Sequence, residues 1–316
     1  MSNRIVETAP GGVPNDMDEP RQLWPDDVDH LHLEHHSRLT ADHVVELLGQ
    51  CPGASFWLPN TSEFILVTPW RRRSELVTAH SFGAFGNEDV LLQSAMTLAC
   101  ERGNAGFVVV DTSETRQPSF YARHGLRRLE NIVTFEHKRP ASLASASIGD
   151  DIEFVRVDGF NAGLLGDVQD LDHAAFPWFW WNSQEEFDFY LRIPGVELWA
   201  GIRNREVVTY AGMTRRQRWA HLDRIATRPS LQGMGLGRAT LILAVRMMVQ
   251  QGCREVVLST QGNNPRSRRL YQQTGFVRTP SDDYSIFVAP FDESRVYAGI
   301  LGREGTPLAS GDRTSS

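Results

Sequence analysis

Apolar and polar positions fall into short alternating or β-branched runs and longer apolar ones. The short runs at 55–58, 63–70, 75–80 and 106–111 predict strands. Further strands are predicted at 152–157, 196–202, 207–215, 219–227, 255–260, 276–278 and 284–288. Helical stretches are predicted at 40–48, with Thr40 as cap, and at 89–102, 162–176 and 185–191. Another leads into Phe120-Tyr121, and the most apolar spans 239–249, broken by Thr240 and Arg246 and stopped at Gly252. Residues 29–36 alternate His30, His32 and Glu34 with Leu31 and Leu33, which predicts a half-buried strand. That alternation accounts for the histidine-rich stretch, so no metal site is expected. Arg71-Arg72-Arg73 falls between two strands and is expected to be a solvated hairpin tip.

The order strand, helix, strand, helix occurs twice. Tyr121, Gly125 and Arg128 precede Tyr271, Gly275 and Arg278 by 150 residues, and Gly86 and Gly103 precede Gly235 and Gly252 by 149. A repeat this long means two copies of one domain rather than a solenoid. The copies are expected at 26–140 and 151–301, joined by a linker at 141–150 rich in Ala and Ser. Residues 1–25 and 302–316 are polar, lack periodicity and are expected to be disordered.

Between the strand at 219–227 and the apolar helix lies Gln232-Gly233-Met234-Gly235-Leu236-Gly237-Arg238. Glycines let a backbone approach a ligand and turn its N–H groups into one concavity, and a helix N-terminus adds partial positive charge. The stretch is therefore expected to cradle a pyrophosphate. It is not a Walker loop, because no Gly-Lys-Ser/Thr ends it. The glycines alternate as G-x-G-x-G, so it is not the G-x-G-x-x-G dinucleotide fingerprint either. A second motif follows at Asn264-Pro265-Arg266-Ser267-Arg268-Arg269-Leu270-Tyr271-Gln272-Gln273-Thr274-Gly275-Phe276. Asn264 suits a helix cap, Pro265 the first helical position and Gly275 the end.

Together these motifs resemble the Q/R-x-x-G-x-G and N-x-x-A-x-x-L-Y-x-x-x-G-F segments of the GNAT acyltransferase superfamily, with Ser267 where alanine is usual. The chain thus resembles a tandem GNAT protein, a layout also found in mycothiol synthase. The resemblance implies an α/β (α+β) fold: two GNAT-like domains, each a mixed, mostly antiparallel twisted sheet flanked by helices. It implies acetyl-CoA as acyl donor and the amine of a small molecule or peptide as acceptor. Coenzyme contacts are implied for Ile225, Ala226 and Thr227, for Gln232, Gly233, Met234, Gly235, Leu236, Gly237 and Arg238, and for Asn264 and Ser267. Tyr271 matches the acid that protonates the leaving thiolate. Asp223 matches the acidic position used as base, with His221 or water as alternatives. A period of two puts Asp223 on the face shared by His221 and Ile225. Phe176, Trp178 and Trp180, in the densest aromatic stretch, are candidates for the acceptor pocket, with core packing as the alternative.

The copies are unequal. Gly83-Ala84-Phe85-Gly86-Asn87-Glu88 stands where the second copy has its glycine cradle, and Glu114 stands where it has Asn264. Two acids facing a polyanion disfavour it, so the first copy is expected to be degenerate and its Tyr121 structural. A coenzyme-binding regulatory or scaffold protein remains the alternative to an enzyme.

Composition narrows the partners. The 316 residues carry a net charge of −7, which disfavours nucleic acid. No apolar stretch is long enough to span a membrane, and residues 1–12 lack the apolar core of a secretory signal. Three cysteines, Cys51, Cys100 and Cys253, do not make a disulfide framework. A cytoplasmic monomer or homodimer is expected.

Overall fold

The computed structural model describes residues 19–33, 39–84, 86–112, 116–149, 152–158 and 161–301, with backbone only at 299–301. The expectations for 1–18 and 302–316, and those involving Glu34, Phe85 and Glu114, lie outside the described residues. The chain forms two compact units, one of residues 1–68 with 79–101 and the other of 69–78 with 102–316.

In the smaller unit β1 (Arg21–Gln22) pairs antiparallel with β2 (Phe56–Trp57), and β2 with β3 (Phe64–Trp70). Residues 19–25 were expected to be disordered, yet they contribute β1 and the fully buried Leu23. Within the expected strand at 29–36, the described residues 29–33 form no strand, and Pro25–His30 is a 3-10 turn. Pro25 opens this turn, and the Asp27 carboxylate accepts the Trp24 N–H at 2.9 Å, a local bond that outweighs the alternation downstream. Helix α1 (Ala41–Gln50) starts at Thr40, whose hydroxyl accepts the His43 N–H, and buries Val44 and Leu48 against Trp57, Phe64 and Leu66. Next come β4 (Arg73–Gly83) and α2 (Glu88–Glu101).

The larger unit follows with β5 (Gly106–Asp111), α3 (Pro118–Arg123), β6 (Arg127–His137), α4 (Ala141–Ala144), β7 (Glu153–Val157), α5 (Ala162–Ala175) and α6 (Gln184–Arg192). It continues through β8 (Val196–Arg203), β9 (Glu206–Arg216), β10 (Trp219–Thr227), α7 (Leu236–Gln250), β11 (Glu255–Gln261) and α8 (Pro265–Gln273). It ends with β12 (Val277–Arg278), β13 (Tyr284–Pro290) and α9 (Glu293–Leu301). Its sheet runs β5-β13-β6-β11-β10-β9-β8-β7, with β12 beside β6. Of these neighbours only β10 and β11 are parallel.

This order interleaves the two sequence copies. β13, from the second copy, lies between β5 and β6 of the first, while β6 pairs with β11 of the second. Each copy completes its sheet with a strand of the other, so the repeat boundary does not coincide with the packing units. The stretch 141–150, expected to be a free linker, starts as the short helix α4. Leu143 and Ala144 are small enough to bury in the core against α7, and Arg246 donates to the carbonyls of Ala144 and Ala146 at 2.8 and 2.7 Å.

Candidate active site

The site is built where β10 departs from regular pairing. β10 pairs with β9 up to Leu222↔Met213 and resumes at Arg224↔Gly212, so Asp223 is the extra residue of a β-bulge. Its parallel pairing with β11 also ends at Leu222↔Leu258. Beyond that point the edge of β10 at Ile225–Thr227 that faces β11 has no strand partner among the described residues, while the other edge stays paired to β9. The bulge also corrects the expected facing. Leu222 and Ile225 both pack on the core under α7, whereas Arg224 and Ala226 belong to the α5 side. Asp223 therefore does not share a face with Ile225, because one inserted residue reverses the parity of the strand.

After β10 a short 3-10 turn leads to the glycine stretch. Gly233 and Gly235 have φ of 88° and 85°, a left-handed conformation that favours glycine, and an added Cβ at either would meet no atom within 4 Å. The loop thus leaves room beside its own N–H groups, as a bound pyrophosphate requires. Gly235 caps α7, the buried Leu236 begins it, and Met234 and Arg238 are exposed at its mouth. Gly237 lies in the first turn of α7, where a Cβ would make only an ordinary contact, 3.4 Å from the Thr227 hydroxyl. Gln232 donates to the Thr227 carbonyl at 3.1 Å and accepts from Arg266, which ties the loop to β10 and α8. Thr209 donates to the Ala226 carbonyl at 2.6 Å and lies 2.9 Å from Thr240 of α7, so strand and helix are locked together.

Asn264 caps α8, accepting the Ser267 N–H at 3.1 Å. Tyr271, only 3% exposed, stands in the core with Phe135 and Phe276. Burial pushes its phenol up to about 12, with a hydrogen bond to Ser267 acting the other way. Its counterpart Tyr121 donates to Asp111 at 2.8 Å and stacks on Phe287 at 3.9 Å, a fully engaged structural tyrosine.

On the α6 side a cavity of about 100 Å³ is lined by Arg71, Asn182, Glu186, Tyr190, Asp223 and Arg224 among others. Asp223 accepts from the Tyr190 hydroxyl at 2.5 Å and from Thr214 at 2.6 Å, both through Oδ2, and its Oδ1 lies 2.7 Å from His221 Nδ1. Burial and the neighbouring carboxylate keep the Tyr190 phenol protonated well above the usual range. Arg224 is held by buried Asp172, with Nη2 to Oδ1 at 2.7 Å and Nε to Oδ2 at 3.1 Å, and by the Tyr210 hydroxyl and the Trp180 carbonyl.

Phe176, Trp178 and Trp180 do not line this cavity. Phe179 and Trp180 are buried against Trp70 and the core over β5, β13 and β6. Phe176 lies under Arg224 and Trp180 under Arg71, so these two rings support the cavity arginines, while Trp178 lies under Arg73 and Arg295. The hairpin tip at 71–73, expected to be solvated, packs here for the same reason: Arg73 is 7% exposed and donates to the Trp178 carbonyl at 2.5 Å. Tyr190, Thr214, Asn182 and Arg71 were not anticipated. Gly212 in the middle of β9 was the available signal, since a Cβ there would sit 2.8 Å from the Tyr190 hydroxyl.

The comparisons with known proteins fit this geometry. Residues 165–276, which hold the bulge, the cradle and Tyr271, match the model of the acetyltransferase (GNAT) family. That stretch is therefore similar to a GNAT acetyltransferase domain. A stretch of 54 residues is 35% identical to the mycothiol acetyltransferase of Amycolatopsis mediterranei, covering 17% of this chain and 18% of that protein. A 58-residue stretch is 34% identical to the one from Paenarthrobacter aurescens, covering 18% of each. The chain thus spans under a fifth of the curated relatives it matches. Among solved structures, a GCN5-related N-acetyltransferase from Sphaerobacter thermophilus superposes with a TM-score of 0.58 at 16% identity, over 87% of this chain and 96% of that one. A tandem GNAT protein from the clavulanic acid biosynthesis pathway gives 0.59 at 13% identity, over 86% and 98%. The fold of these structures, a mixed and mostly antiparallel sheet flanked by helices, is therefore shared over most of the chain.

The smaller unit bears on the expectation that the first copy is degenerate. Where α2 begins, the Asn87 N–H and side-chain amide each donate to the buried Glu63 carboxylate at 3.0 Å. A carboxylate of the chain itself thus accepts the N–H at that helix start. One acetyl-CoA per chain is expected by calorimetry, and two equivalent sites would contradict this.

Proposed function

We propose that this GNAT domain transfers acetyl from acetyl-CoA to the amine of a small molecule or peptide. The observation that carries the proposal is the cradle of left-handed glycines beside the unpaired edge of β10. The N–H groups from Gly233 to Arg238 hold the pyrophosphate, and the backbone of Ile225–Thr227 aligns the thioester. Asn264 and Ser267 flank the pantetheine arm. The amine nitrogen attacks the carbonyl carbon; the C–N bond forms, the C–S bond breaks and coenzyme A leaves as thiolate.

The amine proton passes to the Asp223–His221 pair. Asp223 already accepts three hydrogen bonds, so it orients His221 through Nδ1 and leaves Nε2 to take the proton. Tyr271 assists the leaving group. A phenol near 12 stands well above a free thiol at about 8.5, so complete proton transfer is uphill. The hydroxyl therefore stabilises the thiolate by hydrogen bonding, and solvent supplies the proton.

The test is coenzyme A release from acetyl-CoA with a panel of amines, with product mass read in parallel. Amine-dependent release and a product heavier by one acetyl are expected. Tyr271→Phe is expected to lower kcat by about 10²-fold, as for loss of one donor to a charge developing in the transition state, with coenzyme affinity retained. A kcat within about twofold of wild type would remove Tyr271 from the reaction. Acetyl-CoA binding without any acetylated amine would favour a coenzyme-binding scaffold.

A further inference from the structure

Arg71 sits in the tight turn between β3 and β4, within the larger unit. Arg71 and Arg72 both take left-handed backbone, with φ of 53° and 52°. Non-glycine residues in that region are strained and persist where their surroundings fix them. Here Arg71 lies over the rings of Trp70 and Trp180 at 5.3 and 5.5 Å, and Arg72 over Phe189 at 3.8 Å. The Trp70 indole N–H is anchored on the Phe179 carbonyl at 2.9 Å. The turn thereby delivers a guanidinium to the cavity wall.

That guanidinium is incompletely satisfied. Its Nη1 donates to Asn182 Oδ1 at 2.6 Å, but its buried Nε has no acceptor. Burial, and next the like charge of Arg224, hold Arg71 down at about 10, against the pull of Glu186 and Asp172. Both of those carboxylates are engaged elsewhere: Glu186 lies 3.7 Å from Arg72, and Asp172 grips Arg224. Four charged groups line the cavity, namely Arg71, Glu186, Asp223 and Arg224. Arg224 is neutralised by Asp172, so Arg71 is the lining cation that lacks a close carboxylate among the described residues. A buried charge in that state is costly unless a ligand completes it. A carboxylate suits a guanidinium best, because it can accept two parallel N–H bonds.

The cavity thus pairs an acid, Asp223, with an unmatched base, Arg71. We infer that the acceptor is an amino acid or a molecule that presents one, its amine towards Asp223 and its carboxylate on Arg71. The cavity, of about 100 Å³, receives the polar head of such a molecule. This inference rests on the acyltransferase reading.

The experiment compares free amino acids with their carboxamides and decarboxylated amines, using the full chain and acetyl-CoA. Amino acids are expected to exceed both analogues in kcat/KM by at least about 100-fold, because an unmatched buried charge rejects a ligand that lacks its partner. Arg71→Gln is expected to erase that preference, chiefly through KM, and Arg71→Lys to restore part of it. If the variants do not fold, the wild-type panel decides alone. Equal use of carboxamides, or coenzyme binding with no carboxylate-dependent turnover or thermal protection, would overturn the inference. Failure to bind acetyl-CoA by calorimetry would instead sink the acyltransferase reading, and this inference with it.

Discussion

Gly235→Glu is expected to weaken acetyl-CoA binding by about 10³-fold while the chain stays folded. Two effects combine. The residue has φ of 85°, so any side chain strains the backbone by about 1–3 kcal/mol. The added Cβ meets nothing within 4 Å, so the side chain is free to occupy the space expected to hold the pyrophosphate. A like charge about 4 Å away at an effective dielectric near 20 costs about 4 kcal/mol, roughly 10³-fold. Gly235→Ala separates the two, since it carries the strain without the charge. It should lower the melting temperature by a few degrees and affinity far less than glutamate does. Calorimetry on both variants provides the check; unchanged affinity in Gly235→Glu would mean that the coenzyme lies elsewhere.

Asp223→Asn is expected to reduce kcat by about 10³-fold with little change in coenzyme affinity. The amide keeps the size of the carboxylate but replaces one acceptor with a donor. With the amide NH₂ towards His221, Nδ1 must become an acceptor, and the ring proton moves to Nε2, where the amine proton has to go. With the NH₂ towards Tyr190 and Thr214, two hydroxyls that now donate to Oδ2 lose their common acceptor. His221→Ala provides the companion measurement. If the two side chains act as a pair, the double variant should be scarcely slower than either single one, because groups that work together are not additive. Full additivity would assign them separate tasks. High activity in His221→Ala alone would return the proton to Asp223 or water.

The glycine turn and the helix after it were legible because glycine spacing and a long apolar run are local properties. Residues 232–238 and 264–276 carry their own turns, caps and stops, and the structure forms α7 and α8 there. What depended on a neighbour was hidden. β6 was not anticipated, since Arg127, Arg128 and Glu130 mask its alternation, and β11 and β13 on either side stabilise it. The bulge at Asp223 is set by the register with β9, which no residue in β10 announces. The role of Arg71 was equally hidden. A run of three arginines resembles a solvated tip until Trp180 of a 3-10 turn and Phe189 of α6, both distant in sequence, are brought beneath it beside Trp70.

The interleaving of β5, β13 and β6 bears on synthesis at the ribosome. When β6 emerges, neither β11 nor β13 has been made, and β5 still lacks the neighbour that will separate it from β6. About 150 residues must follow before β13 is complete, which at about 5–20 residues per second takes roughly 10–30 s. For that interval two strands of the nascent chain offer open edges, the feature most prone to pair with the wrong partner. Polar residues at the start of β6, Arg127, Arg128 and Glu130, place charge on one of those edges during the wait.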